Sequence, residues 1–445
     1  KDGNIHFLVV EDFRDRKGLD RYERFTEDMV DLVLAADGTL KAEHGTGRIM
    51  APFVERQYGP ELYNVMVKLK NAADPDRMLN PGTIITDDPQ LHLKDIKLSP
   101  TVQEEVDRCV ECGYCEPVCP SRDLTLTPRQ RIVVQRAIAQ AHADGDEELA
   151  AQLSADEQYP VIQTCAVDGM CQTNCPLHIN TGDLVRRLRA EGNSPAWQGV
   201  WDIAAKGWGP FVSAASLGMD AVHPIPTRAT NTVLGAARSI VGADRVPLLS
   251  KELPAGGRRR SSGHRRGPVG RPEVVYLPAC VNTMFGSAVP QEETLEFSVL
   301  SLLAAAGVGV TVPQGIEAVC CGTPWKSKGM TTGYATMRRR VVDIMQEATH
   351  GGELTVISDA VSCSEGFVHE LEYEGVTGIR IVDAVQYIAD ELLPVLPDLP
   401  KLRSAALHPT CSSTRMSWND ALYRCAQAIA DDVVVADDWG CCGFA

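Results

Sequence analysis

The sequence predicts a multidomain chain, α+β at its start and α/β at its end, with a cysteine-rich helical region between. Three observations carry this. Residues 1–88 mix a strand-like run with a long helical pattern. Two nearly matching cysteine motifs, "RCVECGYCEPVCP" at 108–120 and "TCAVDGMCQTNCP" at 164–176, are separated by helical sequence. Residues 273–445 alternate short β-branched runs with helical ones, the pattern of a mostly parallel sheet. The 445 residues are enough for two to four domains at roughly 100–200 residues each.

In the first block, "NIHFLVV" alternates like a strand, and "LDRYERFTEDMVDLVLAADG" reads as a helix closed by Gly38. "LNPGTII" reads as a turn and a short strand. Block two covers residues 97–190. After its first motif, Thr127 and Pro128 are suited to start a helix, with Val134, Ala137, Ile138 and Ala141 on one face and Gly145 at its end. After the second motif, "NTGDLVRRLRAEG" starts a helix capped by Asn180 or Thr181. Residues 191–272 hold three Trp in "PAWQGVWDIAAKGWGPF", read as core packing of short helices, with a docking surface as the other reading. They end in a basic run, "GGRRRSSGHRRGPVGRP" at 256–272, read as a solvated linker. The last block has strand-like segments in "EVVYLPAC", "GVTVP", "LTVISDA", "SAALHPTC" and "DDVVVADDWGCC".

Composition narrows the function. A net charge of −16 argues against nucleic acid as the partner. Mean hydropathy is −0.12, and the longest apolar run, "FSVLSLLAAAGVGVTV", is too short to span a bilayer and reads as a buried helix leading into a strand. No secretory signal is evident, and the start at Lys1 and stop after "GCCGFA" read as those of a fragment. The fifteen cysteines are clustered, which suits metal or redox sites in a reducing compartment better than disulfides.

The first cysteine motif is C-x2-C-x2-C-x3-C-P, a density of soft ligands that suits an iron–sulfur cluster; zinc prefers separated pairs. In two-cluster proteins of this pattern the fourth cysteine ligates the other cluster. That assigns Cys109, Cys112, Cys115 and Cys175 to one 4Fe-4S cluster, and Cys165, Cys171, Cys119 and the Asp168 position to the other. A carboxylate is a harder, weaker ligand than a thiolate. The second cluster is then either Asp168-ligated 4Fe-4S or 3Fe-4S with an open corner; the alternative is that Asp168 is only a turn residue before Gly169. This region resembles the alpha-helical ferredoxin domain of quinone-linked dehydrogenases.

Further on, Cys280, Cys320, Cys321 and Cys363 follow strand-like segments, and Cys411, Cys441 and Cys442 form a second copy. Cysteines at the carboxyl ends of parallel strands can converge. The paired Cys-Cys-Gly repeats resemble the cysteine-rich domain of heterodisulfide reductase and of glycolate and lactate oxidase iron–sulfur subunits. The resemblance implies a further cluster or a redox dithiol, although Cys363 is followed by "SEG" where the fullest pattern has CxxC. Buried, unreactive cysteines are the alternative, and Cys425 reads as core.

"DGNIHF", "AEHGTGR" and "DPDRMLNPGTII" together resemble the carboxyl-terminal end of FAD-linked 2-hydroxy acid oxidases and dehydrogenases. The resemblance implies a divalent metal, zinc or manganese, on His6 and Glu43, with a further His ligand that would precede Lys1. It makes His44 the base for the substrate hydroxyl and brings Asn80 near the flavin. Arg48 reads as a carboxylate partner or a surface residue. The FAD-binding domain would lie upstream. Taken in order, the blocks resemble large fused flavin and iron–sulfur D-lactate dehydrogenases: the C-terminal part of an FAD-linked oxidase cap domain, a helical ferredoxin domain and an α/β Cys-Cys-Gly domain. The implied activity is oxidation of a D-2-hydroxy acid, D-lactate first and D-2-hydroxyglutarate or glycolate next, with electrons leaving to a quinone, cytochrome or other acceptor. The expected location is the cytoplasm, with peripheral contact at the inner membrane as a variant. Two other readings are an electron-transfer module without catalysis of its own, and thiol–disulfide chemistry at the Cys-Cys-Gly domain. Oligomeric state is not set by the sequence.

Overall fold

The computed structural model describes residues 9, 11, 13, 15–41, 45–96, 100–242, 246–260, 263–265, 272–287, 293–397, 399–437 and 439–441. The chain divides into two compact units, residues 1–112 with 135–150, and residues 113–134 with 151–445.

In the first unit, the helix Arg16–Ala35 is capped by Asp15, whose carboxylate accepts the Lys17 N–H, and it ends where the Gly38 N–H reaches the Val33 carbonyl at 2.8 Å. Its Val30 packs with Met50 and Phe53. The helical segment Val54–Ala73 follows, interrupted by Gly59 at φ 79° before Pro60. The Asp74 carboxylate accepts the Met78 and Leu79 N–H groups and orders the turn beyond it. The segment "LNPGTII" forms turns, and the short strand expected there is not found; Asn80 and Ile84 take left-handed φ values incompatible with a regular strand. The expected strand in "NIHFLVV" falls largely outside the described residues.

Between the cysteine motifs, the helix Pro128–Asp144 begins after Thr127 and ends at Gly145, φ 76°. Its buried face differs from the expected apolar one. Arg131, Ile132, Arg136 and Ala141 are buried, whereas Ala137 is exposed. The two arginines are drawn inward by carbonyl and carboxylate acceptors. The helix Thr181–Gly192 is capped by Asn180, which accepts the Gly182 N–H at 3.0 Å.

In the second unit, a five-stranded sheet has the order β1-β3-β2-β4-β5, where β1 is Gly263–Arg265, β2 Val274–Leu277, β3 Val310–Val312, β4 Thr355–Ser358 and β5 Ile381–Asp383. Strands β2 to β5 are parallel, and β1 joins antiparallel to β3. Strand β1 lies inside the run expected to be a solvated linker. Arg260, beside it, is buried and donates to the Pro278, Glu317 and Val319 carbonyls. Chain order reverses between β2 and β4, which makes their carboxyl ends a topological switch point. Strands β6 (Leu402–Leu407) and β7 (Ala430–Val435) form a separate parallel pair rather than extending the first sheet.

Trp201, Trp208 and Trp325 pack edge to face, with Trp208 and Trp325 centroids 4.8 Å apart, beneath the sheet's core. The tryptophan-rich segment is thus core. The helix Leu295–Ala305 buries Val299 and Leu303 and leaves Leu295 and Phe297 exposed, so it is half-buried rather than enclosed. Among the described residues, no helix is long and apolar enough to cross a membrane.

Candidate functional site

The second cysteine motif builds a pocket. The Thr164 hydroxyl donates to the Pro160 carbonyl at 2.9 Å, and the motif turns sharply at Val167 and Gly169, both with left-handed φ. The helix Met170–Asn174 then presents Cys171. Across from it, Cys119, Pro120, Pro128 and Arg131 close the other wall. Cys119, Cys165, Asp168 and Cys171 therefore line one pocket, which holds about 310 Å³ of empty space, part of it open to solvent.

Burial raises the pKa of Cys165, against the opposing charge of Arg131, and pushes the Cys171 thiol up to about 12. The Asp168 Oδ1 accepts the Met170 N–H at 3.3 Å, and its Oδ2 is buried without a well-directed hydrogen bond. Burial raises its pKa as well, opposed by the Met170 N–H, the Cys441 thiol and Arg415. Three thiols and an under-bonded carboxylate facing one space are a donor set that fits a cluster with three sulfur corners and one oxygen corner.

The first motif is divided between the two units: Cys109 and Cys112 belong to one, Cys115 and Cys119 to the other, which also holds Cys175 of the second motif. Within the first unit, the buried Arg136 donates to the Cys109 and Asp107 carbonyls and pairs with Glu111 at 2.8 Å. This ties the Cys109 turn to the helix that follows the motif.

At the switch point of the sheet, Cys280 follows β2, Cys320 and Cys321 follow β3, and Cys363 follows β4. The Cys280 and Cys320 sulfurs are 3.7 Å apart. Hydrogen bonds from Cys320 and then Cys363 hold Cys321 well below the ordinary thiol range, against the effect of burial. These four cysteines converge. The Asp359 carboxylate fixes the Cys280 loop by accepting from the Tyr276 hydroxyl at 2.6 Å, the Ala279 N–H at 2.7 Å and the Asn282 amide at 3.0 Å. At Gly366, two residues beyond Ser364 in "CSEG", an added Cβ would sit 2.9 Å from the Cys321 Cβ, so the position that CxxC would fill faces the same group.

Cys411 and Cys441 stand apart from that group. Cys411 opens the helix Cys411–Arg415, whose Thr410 and Ser413 form a reciprocal cap. A hydrogen bond with Cys441 lowers the Cys411 pKa to about 7. The Arg415 guanidinium lies over Gly169 and pairs with Glu365 at 2.6 Å. Cys425 is half-buried and donates to the Val385 carbonyl at 3.5 Å. No disulfide links the described cysteines. Among the described residues, no group of His, Cys, Asp and Glu side chains is arranged to hold a single metal ion.

Of the other expected site residues, His6, Glu43, His44 and Cys442 lie outside the described residues. Asn80 is exposed in its turn with φ 42°. Arg48 is exposed and approaches Asp95 at 3.7 Å. Sequence reasoning missed Arg131, Arg189, Asp359 and Glu370. Of these only Asp359, in "LTVISDAV", leaves a signal, a charge within an apolar run; the other three stand among polar neighbours.

Comparison with known proteins matches two stretches of the chain. Residues 1–84 match the family described as FAD linked oxidases, C-terminal domain. Residues 105–179 match the 4Fe-4S dicluster domain family. The chain thus joins the carboxyl-terminal domain of FAD-linked oxidases to a 4Fe-4S dicluster domain.

Its relatives include D-lactate dehydrogenases and glycolate oxidase subunits. A probable mitochondrial D-lactate dehydrogenase of Danio rerio is 38% identical over 84 residues, 19% of this chain and 17% of the relative. Glycolate oxidase subunit GlcD of Bacillus subtilis is 33% identical over 87 residues, 20% of this chain and 18% of the relative. D-2-hydroxyglutarate dehydrogenase of Haemophilus influenzae is 29% identical over 84 residues, 19% of this chain and 8% of the relative. The chain spans less than a fifth of each of these relatives' lengths. No solved structure matches.

Proposed function

We propose that this chain is the carboxyl-terminal, electron-carrying part of an FAD- and iron–sulfur-dependent dehydrogenase that oxidises a D-2-hydroxy acid, D-lactate first, to the 2-oxo acid. The observation that carries the reading is the pocket lined by Cys119, Cys165, Cys171 and Asp168 downstream of an FAD-oxidase carboxyl-terminal domain. D-2-hydroxyglutarate and glycolate are the next substrates, in line with the names of relatives.

In this reading His44 takes the hydroxyl proton, a task suited to an imidazole near neutral pH. His6 and Glu43 would hold a divalent cation, zinc or manganese, which would lower the hydroxyl pKa and help bind the substrate. Asn80 stands near the flavin. FAD, bound mainly by a domain outside this chain, would supply hydride acceptance and the change from two-electron to one-electron transfer. Cys109, Cys112, Cys115 and Cys175 hold one cluster, and Cys119, Cys165, Cys171 and Asp168 hold the other; together the clusters supply one-electron transfer. Cys280, Cys320, Cys321 and Cys363 would carry electrons further as a third cluster or a redox dithiol, with Cys411, Cys441 and Cys442 as its partial second copy. The acceptor is a quinone, a cytochrome or another carrier, and we place the protein in the cytoplasm, with peripheral contact at the inner membrane as the variant.

Iron and acid-labile sulfide counts with electron paramagnetic resonance on anaerobically purified protein test this. The expected result is two ferredoxin-type clusters, one showing a three-iron signal as isolated that converts on adding ferrous iron. The D168C variant, which completes the cysteine spacing, is expected to abolish the three-iron signal. Iron for one cluster only in the wild type would overturn the assignment of Asp168's pocket.

A further inference from the structure

We propose that Arg131 is the buried counter-charge of the second cluster and sets how readily that cluster is reduced. This rests on reading the Cys119–Cys165–Asp168–Cys171 pocket as an iron–sulfur site.

Arg131 is 1% exposed and lines the pocket. Its Nε donates to the Val161 carbonyl at 3.0 Å and its Nη2 to the Thr164 hydroxyl at 3.2 Å, while Nη1 faces the Cys119 sulfur at 3.7 Å. The fork is fixed on both sides, so the charge cannot swing away. No carboxylate among the described residues forms an ion pair with it. Its neighbours on the same helix are treated differently. Arg129 pairs with Glu116 at 2.5 Å, and the equally buried Arg136 pairs with Glu111 at 2.8 Å. A second cation approaches from the helix Thr181–Gly192: Arg189 donates to the Ile162 and Cys165 carbonyls, both at 2.8 Å, again with no carboxylate partner among the described residues.

An arginine does not shed its proton, and a buried charge without a counter-ion is costly. The site therefore calls for an anion. A cluster carried by thiolates and a carboxylate supplies one, at the sulfur that Nη1 already faces. Reduction adds one more negative charge to that cluster. A fixed guanidinium beside it in a low-dielectric pocket favours the reduced form.

The test is a potentiometric titration, followed by electron paramagnetic resonance, of wild type, R131Q and R131K as full chains with iron counted in each. In R131Q the second cluster's reduction equilibrium is expected to shift at least tenfold towards the oxidised form, about 59 mV for one electron. The first cluster's signal is expected not to move, and R131K is expected to restore most of the shift. Loss of the second cluster in R131Q with retention in R131K also supports the proposal, since the charge is then what holds it. Full iron with an unmoved midpoint in R131Q overturns it. Loss of the cluster in both variants overturns it too, by making Arg131 a structural anchor. A wild type without the second cluster refutes the underlying reading instead.

Discussion

Gly169 follows Asp168 at φ 73°, and a Cβ there would lie 2.6 Å from the Arg415 guanidinium. Arg415 is itself held by Glu365, so yielding to a methyl group costs an ion pair as well as backbone strain. Gly169→Ala is therefore expected to unseat the turn that aims Asp168 and Cys171 into the pocket. Iron content should fall by one cluster's share with the first cluster's resonance unchanged; full iron in the variant would show that the turn tolerates a side chain. Asp168 was legible in the sequence because spacing counts ligands and a missing cysteine leaves a gap. Arg131 was not, because its role comes from acceptors at Val161, Thr164 and Cys119 that only folding gathers around it. A charged residue in an amphipathic helix reads as solvated until its surroundings are seen.

The helix Val361–Tyr373 carries Cys363 near its start and Glu370 on the side that faces Gly322, where an added Cβ would meet the Glu370 Oε1 at 2.5 Å. Glu370 is fully buried with both carboxyl oxygens unpartnered. Burial first, and then the Cys321 charge, push its pKa up to about 9, against Lys326 and Arg338; burial also raises nearby Tyr334 above the ordinary phenol range. Its folded pKa thus exceeds the unfolded value of 4.5. Between those values the folded chain keeps a proton that the unfolded chain has lost, so stability falls as pH rises through the window, by up to about 1.4 kcal/mol per pH unit. Glu370→Gln is expected to flatten this slope. Urea midpoints at about pH 6 and about pH 8 measure it; equal slopes in both proteins would mean that the carboxyl is ionised. The periodicity that revealed the major strands missed β5, whose three residues are too few for a pattern, and β1, whose basic, Gly-rich surroundings mimic a linker.

For the whole molecule, the order of the cysteine motifs and the alternation in residues 273–445 were enough to separate a ferredoxin-like region from an α/β sheet. What they could not show is which cysteines meet. Cys280, Cys320, Cys321 and Cys363 converge because chain order reverses between β2 and β4, a property of strand order rather than of any one segment. Cys411 and Cys441 stand instead near Asp168, with Arg415 reaching the Asp168 carbonyl at 3.5 Å. The second half of the repeat therefore touches the pocket that Asp168 lines. On the proposed function, the 445-residue polypeptide holds electron acceptors, while hydride removal needs the flavin. Dithionite is expected to reduce the clusters of this polypeptide by itself. D-lactate is expected to leave them oxidised until a flavin-bearing portion of the enzyme is supplied, and then to reduce them at a rate that falls when His44 is replaced by Gln. Resonance spectra before and after each addition distinguish the cases. Reduction by D-lactate without flavin would place the oxidation chemistry within this chain, and no reduction with flavin present would leave the clusters serving another donor.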